Sequence, residues 1–587
     1  MKKPICLLLA IIICVMVVPD MTIESCAKTS KLTVGYIPLD NRPVNYQRVQ
    51  WLAESVNIEL LTPEEELFRT ALDNMPPNSD GSKLGNRPKL LEWLKSTEGK
   101  CDYYIISLDQ MLSGGLVGSR WYKNTDLTFE KSVCDYIAQL SQKYPIVLFD
   151  TVMRLASTSG FDGYGINEYN ALRTYGSKAR KILSGDNLTI DNIIKGYKYG
   201  TNGALISTTL SSTAIDNYIA SRSRKLKLID YLLKNCASNL DYCFIGVDDS
   251  SPNTSIQTNE IAYIKRLIGT NGNIAAATDE FGMMGIARVL SSYYGGADVT
   301  VEYYGGGENQ IADSYDYDTL KNAMNSKLQS LKCNVTNDNK ALKVLIYTKC
   351  NNSTATANSI IAKAKQYISQ GCVVAIIDPS ASGGVIGKTL AGSDVPLLQL
   401  IGYSSWNTAA NSLGLGFSMA IARYLYLNNA KYVTQDSHIG FIKTMTFAYI
   451  KDISYKNCGF RIEDAKSTAK NGFIYMQNKI NSSPVVTSLN PYTTVKCSNV
   501  VCSDYVYPWN RTFEMVCKIA VDDVEHISGD IDGDGRVGML DYVMAKRISD
   551  GKYSPSNTQK NAADTDGNGN INSKDCDNIK KAIQKRG

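Results

Sequence analysis

Two adjacent carboxylates, Asp248 and Asp249, close the apolar run of "FIGVDDSSP". Along a strand their side chains would point to opposite faces, but a turn at that point can aim both at one ligand. Carboxylates held close together push one pKa upward, so that one keeps its proton while the other ionises. Glycoside hydrolysis uses that division: a proton donor for the leaving oxygen, and a carboxylate as base or nucleophile. "TDEFGMMG" adds Glu280 one strand later. Asp249 or Glu280 is the candidate acid, and Asp248 the candidate orienting or nucleophilic carboxylate. A metal-binding acidic pair is a competing reading, and capping of the next helix is the plain alternative.

The pair has company. Asp40, Asp109, Asp150, Asp279 and Asp378 also stand at or just beyond the C-terminal ends of strand-like runs. In parallel α/β folds that edge builds the active site. Arg42 in "YIPLDNRP", Arg120 in "DQMLSGGLVGSR" and Arg154 in "DTVMR" accompany them. A guanidinium fork suits a substrate carboxylate or the protein's own Asp equally. In "GYSSWNTAANSLG", Trp406 offers a stacking face and Asn407 a donor and an acceptor, or else a helix cap. Asp40, Asn41, Arg42, Asp109, Arg120, Arg154, Trp406 and Asn407 are expected to line substrate subsites. The same set fits a lyase or esterase for anionic glycans, with Arg on a uronate and Tyr or Lys as base. It also fits a non-catalytic binding or structural module.

Other chemistries are excluded. The 587 residues hold two histidines, His438 and His526, and no Cys-x-x-Cys pair, so zinc is not expected. G-x-S-x-G is absent, and a Ser-His-Asp triad in the body could use only His438. "SGGVIGKT" (382–389) has Ser382 where a phosphate loop needs glycine, so nucleotide is not expected. The net charge of +5 is spread over 62 basic and 57 acidic residues without a dense basic run, which argues against nucleic acid.

The tail carries a different chemistry. "DIDGDGRVGMLD" (530–541) is repeated as "DTDGNGNINSKD" (564–575). Both copies follow the calcium-loop pattern, which converges hard oxygens from alternate positions around a turn glycine. The expected ligands are Asp530, Asp532, Asp534, the carbonyl of Arg536 and Asp541 in one loop. In the other they are Asp564, Asp566, Asn568, the carbonyl of Asn570, Asn572 and Asp575. Two calcium ions are therefore expected. Gly538 supplies no side chain at position 9 and leaves that site to water.

These residues need elements to hold them. Strand-like runs fall at Leu32–Leu39, Ile58–Thr62, Tyr103–Leu108, Ile146–Phe149, Tyr242–Val247, Ile274–Thr278 and Val299–Tyr304. A second series follows at Val344–Tyr347, Cys372–Ile377 and Leu397–Tyr403. Most are short continuous apolar runs, as in strands buried on both faces. Helical patterns such as "NYQRVQWLAESV" lie between them, which argues for parallel sheets covered by helices, barrel-like or doubly wound. The polar stretch at 337–339 suggests an α/β domain over 28–338 and a second α/β and helical region over 339–522, followed by an all-α tail from 523 to 587. Residues 408–480 read as helical and 486–520 as irregular and rich in Tyr and Cys.

Lys2 and Lys3 precede an unbroken apolar run of 14 residues, Ile5 to Val18. That is short for a membrane span and fits a secretory signal over residues 1–27, with Ser25 and Ala27 supplying small residues before the cut. An acylated Cys26 is the alternative. No other run is apolar enough for a membrane helix. Outside the cell disulfides can form, and Cys497, Cys502 and Cys517 are the best candidates. The other cysteines of the body are expected as buried thiols.

Two twelve-residue calcium loops, each followed by one short helix, resemble a type I dockerin. The resemblance implies docking onto a cohesin module of a cellulosomal scaffoldin on the cell surface. It assigns cohesin contacts to Met539, Leu540, Lys546 and Arg547 in the first copy, and to Ser573, Lys574, Lys580 and Lys581 in the second. Scaffoldin cargo is mostly polysaccharide-degrading, which favours a hydrolase of O-glycosyl bonds. From about Leu32 to about Leu427 the body resembles the bacterial domain of unknown function 4127 through "YIPLDNRP", "LDQMLSGGLVGSR", "GVDDSSP", "TDEFGMMG" and "GYSSWNTAANSLG". That family implies one shared site and no particular activity. A weaker likeness is to hexosaminidase-type barrels, which carry adjacent acids at a strand end.

Overall fold

The structure is a computed structural model that describes residues 31–161, 165–380, 385–431, 433–456, 473–490, 492–511, 514–524 and 527–585. The expected signal, His526 and the start of "SGGVIGKT" lie outside the described residues. Among the described residues no helix is long and apolar enough to cross a membrane.

The body is built on two open parallel sheets. The first comprises β1 (Leu32–Ile37), β2 (Ile58–Leu61), β3 (Tyr103–Ser107), β4 (Ile146–Val152), β5 (Tyr242–Val247) and β6 (Gly272–Ala276), in spatial order β2-β1-β3-β4-β5-β6. This is a doubly wound order, and it decides between the two expected topologies without a closed barrel. The second comprises β7 (Asp298–Tyr304), β8 (Asn334–Val335), β9 (Leu342–Tyr347), β10 (Val374–Ile377) and β11 (Leu400–Ser404), in order β11-β10-β9-β7-β8. It draws on β7, which precedes the polar stretch at 337–339.

The helices that position the site are α1 (Gln47–Ser55), α2 (Thr128–Ser141), α3 (Ser212–Cys236), α4 (Phe281–Tyr294), α5 (Leu320–Ser330), α6 (Ala409–Asn429) and α7 (Gln435–Tyr449). Strand alternation sorts the faces of the first sheet. Ile106, Ile146 and Leu148 share a core with Val133 of α2 and Ile229 of α3. Their neighbours point the other way: Phe149 meets Phe281 of α4, ring centres 6.2 Å apart, and Ile105 packs on Gly285 of α4. α4 packs in turn on α6, which covers β10 and β11. α6 is buried all round from Ala409 to Leu427, as a helix between two sheets must be.

The segment expected to be irregular is a third, antiparallel sheet: β12 (Pro484–Leu489), β13 (Tyr492–Val506) and β14 (Val516–Val524). Most of β13 faces solvent, so "YTTVKCSNVVCSDYV" lacks the apolar period by which a strand is recognised. In the tail, α8 (Met539–Ser549) and α10 (Ser573–Gln584) each follow a loop, with α9 (Asn557–Ala563) before the second. Ile531, Val537, Ala545 and Ile579 form its small core.

Candidate functional site

A cavity of about 690 Å³ lies at the carboxyl edges of both parallel sheets, where α/β folds place their ligands. β5 delivers Asp248 and Asp249, β6 delivers Ala277, Thr278 and Asp279, and β4 delivers Arg154. The turn from β11 into α6 contributes Trp406, Asn407 and Asn411. The connection between β13 and β14 adds Trp509 and Arg511. Two lining residues at adjacent strand ends, Asp249 (φ 32°) and Ala277 (φ 83°), occupy the left-handed region. Strain of this kind persists where the surroundings hold the backbone for a purpose. Asn411 Oδ1 fixes the neighbouring turn by accepting from the N–H groups of Thr278 (3.3 Å) and Asp279 (3.0 Å).

The lining is ionic and matched. Arg120 pairs with Asp248 and donates to Thr158 Oγ1 at 3.1 Å. Arg154 pairs with Asp249 and donates to the Tyr169 hydroxyl at 2.9 Å. Arg42 pairs with Asp279 at 2.7 Å and lies 4.6 Å over the Trp509 ring. Arg511 pairs with Asp73 and donates to the Ser159 carbonyl at 2.7 Å, tying three loops together. Asp316 is different. It is buried, lines the cavity and has no ion-pair partner among the described residues. Burial, with Asp313 beside it, pushes its carboxyl well above the usual range. Its loop is held at Tyr315, whose carbonyl accepts from the Ser250 N–H (2.9 Å) and hydroxyl (2.6 Å), and at Asp313, which accepts from the Ala409 N–H at 2.9 Å.

The tail gathers a second acidic site. Asp530, Asp532 and Asp541 bring ligand oxygens within 4.8 Å of one another, as do Asp564, Asp566 and Asp575. Gly535 (φ 86°) and Gly569 (φ 81°) make the turn at position 6, where a side chain would strain the backbone. Burial, then Asp541 and its neighbours, pushes Asp530 up to about 7 and Asp532 up to about 6. Hard oxygens so crowded fit a divalent cation, and calcium in particular accepts such a set. Asp541 also closes its loop by accepting from the N–H groups of Ile531 (2.6 Å) and Gly538 (2.7 Å). Asp534 accepts from Arg536 Nε at 2.9 Å, and Asn568 from the Asn570 N–H at 2.8 Å. Asn572, expected as a ligand, caps α10 by accepting from the Lys574 N–H at 2.9 Å, and its amide donates to the Asn570 carbonyl at 3.1 Å.

The model of a family described as protein of unknown function (DUF4127) matches residues 34–518. The chain belongs to the DUF4127 family. A type I dockerin domain matches residues 528–584. No curated protein matches the chain. The dockerin implies calcium binding, a cohesin partner and incorporation into a cellulosome-type assembly, the extracellular setting typical of such modules. Its expected cohesin-facing residues Met539, Lys546, Arg547, Ser573, Lys574, Lys580 and Lys581 are exposed, and Leu540 is half-buried. Lys546 pairs with Asp550 (2.7 Å) and Lys574 with Asp566 (2.8 Å).

Of the DUF4127 residues expected at the site, the cavity brings together Arg42, Arg120, Arg154, Asp248, Asp249, Trp406 and Asn407. Four others lie outside its lining. Glu280 is fully buried against Lys327, and a Cβ on Gly414 of α6 would lie 2.1 Å from its Cγ. The chain turns between the two acids of "TDEFGMMG", so Asp279 meets the cavity and Glu280 the interior. Asp40 is also fully buried and acts through Arg42, whose Nη2 it holds at 2.8 Å. Asn41 bonds Glu65 (3.2 Å) and the Thr70 N–H (3.3 Å). Asp109 pairs with Lys225 beneath the sheet edge, where burial pushes its neighbour Asp150 up to about 7. Trp406 reaches the cavity but does not offer the expected free face, because Lys451 Nζ stands 3.6 Å from its ring centre. His438 is buried against Arg423, with Nδ1 2.8 Å from Nη2, and is not among the cavity residues. Asp73, Asp316, Trp509 and Arg511 belong to the cavity without any signal at a strand end. Only the Asp-rich "DSYDYD" hinted at Asp316.

Proposed function

We propose that the DUF4127 body is a carbohydrate-active hydrolase that cleaves O-glycosyl bonds of plant polysaccharide. A secreted chain, held on a scaffoldin by a dockerin binding two calcium ions, would bring that activity to the cell surface. The observation that carries the reading is Asp316: a buried carboxyl with no ion-pair partner among the described residues, in a cavity where each other described lining aspartate pairs with an arginine. Burial and the neighbouring Asp313 favour the protonated form of such a group, which can give its proton to a leaving glycosidic oxygen. Asp249, held by Arg154, supplies the carboxylate that activates water or attacks the anomeric carbon. Asp248 and Arg120 orient the sugar beside it. Asp40 keeps Arg42 aimed at the subsite.

The charge count bears on the anionic-glycan alternative. Among the described residues five aspartates line the cavity against four arginines, and each arginine is already matched by a carboxylate. A uronate would find no surplus cation among the described residues, whereas the hydroxyls of a neutral sugar use the donors and acceptors of matched pairs.

The test is a screen of the purified chain against plant polysaccharides, with Asp316→Asn and Asp249→Asn as controls. Each variant should lose about 10²–10⁴ in kcat, the usual worth of a positioned acid or base. Aryl glycosides with activated leaving groups should restore Asp316→Asn alone, since they depart without a proton. Full turnover by both variants would sink the assignment. Unsaturated, ultraviolet-absorbing products would replace it with a lyase, and binding without turnover with a non-catalytic module.

A further inference from the structure

We infer that Cys502 and Cys517 form a disulfide-bonding pair that staples the connection carrying Trp509 and Arg511 into the cavity wall. In the antiparallel ladder of β13 and β14, Cys502 stands opposite Ile519. Cys517 lies two residues before Ile519, on the same face and diagonal to Cys502. Cys502 acts on the Cys517 thiol more strongly than burial does and pushes it up. Tyr505 marks the same spot: its phenol senses both sulfurs, donates to the Cys502 carbonyl at 3.3 Å, and its ring stacks on Phe473 with centres 4.6 Å apart. The register selects this pair from the three cysteines singled out in the sequence. Cys497 stands opposite Val524, at the other end of the ladder from Cys517, and its side chain lies outside the described residues.

Accessibility orders the chemistry. Cys517 is buried and Cys502 half-buried, so a small-molecule disulfide reaches Cys502 first. The Cys502 thiolate attacks one sulfur of that reagent, releasing one small thiol and leaving a mixed disulfide. The Cys517 thiolate then displaces the second small thiol and closes the Cys502–Cys517 bond. Two protons leave the protein thiols, and the reagent is reduced by two electrons. The bond would close a loop that contains Trp509, Arg511 and Glu514, the first two in the cavity lining. It restricts that wall by constraining the unfolded and locally opened chain.

The full calcium-loaded chain is incubated with oxidised or reduced glutathione, denatured, alkylated, digested and weighed. The oxidised sample should yield one cross-linked peptide pair joining Cys502 to Cys517, two hydrogens lighter than the separate peptides, with both residues protected from alkylation. Its melting midpoint should lie about 3 °C above that of the reduced sample. Cys502→Ser and Cys517→Ser should each abolish that difference. Full alkylation of both residues after oxidation, or a persistent glutathione adduct on Cys502, would overturn the inference.

Discussion

Glu514 lies beneath the cavity wall and should make the body less stable as the pH rises through neutrality. It is fully buried. Its Oε1 accepts from the Val44 N–H at 3.0 Å, and Oε2 has no partner among the described residues. Burial pushes its carboxyl from 4.5 up to about 7, although Arg42, Lys451 and Arg48 pull the other way. Between those values the folded chain holds a proton that the unfolded chain has lost, so stability falls with rising pH. The penalty is absent below the unfolded pKa and complete above about 7. A pKa difference of about 2.5 corresponds to about 3 kcal/mol. Glu514→Gln keeps an acceptor for Val44 and cannot ionise. A cooperative body spanning residues 34–518 has an unfolding entropy of about 1 kcal/mol per degree. The variant should therefore melt about 3 °C higher than wild type at pH 8, and within about a degree of it at pH 4.5. Calorimetry across that range reads both slopes. Parallel curves from pH 4.5 to 8, or a lower midpoint for the variant at pH 8, would refute the reasoning.

Lys327→Met should cost about 3–5 kcal/mol in chemical denaturation, because it strands the buried Glu280 carboxylate. The double variant Lys327→Met/Glu280→Leu should recover most of that loss, and a double variant no better than the single would place the cost elsewhere. Removal of calcium by a chelator should unfold the tail, where each loop crowds three carboxylates, and abolish cohesin binding. Unchanged circular dichroism and binding in excess chelator would defeat this expectation.

The ten expected strands were legible because strands buried on both faces read as continuous apolar runs. The dockerin was legible because each calcium loop carries its ligands within twelve residues, so the pattern is local. Arg42, Arg154, Asp248 and Asp249 were legible for a related reason: they follow closely on the strand ends where a parallel sheet presents a site, whereas Arg120 reaches it from the end of a short helix, Leu116–Ser119, beyond β3. What stayed hidden depends on contacts distant in sequence. Asp73 and Arg511 meet across 438 positions, and Asp316 becomes a lone carboxyl only when the second sheet folds against the first. Asp279 and Glu280 are neighbours with the same functional group, and sequence favoured the wrong one for the cavity. One turn decides that Asp279 faces the cavity while Glu280 meets Lys327. Sequence by itself therefore determined the layers, the docking tail and most of the charges at the sheet edge. Tertiary structure decided which of those charges are matched, and added Asp316, which has no ion-pair partner among the described residues, because pairing and burial depend on the three-dimensional surroundings of each group.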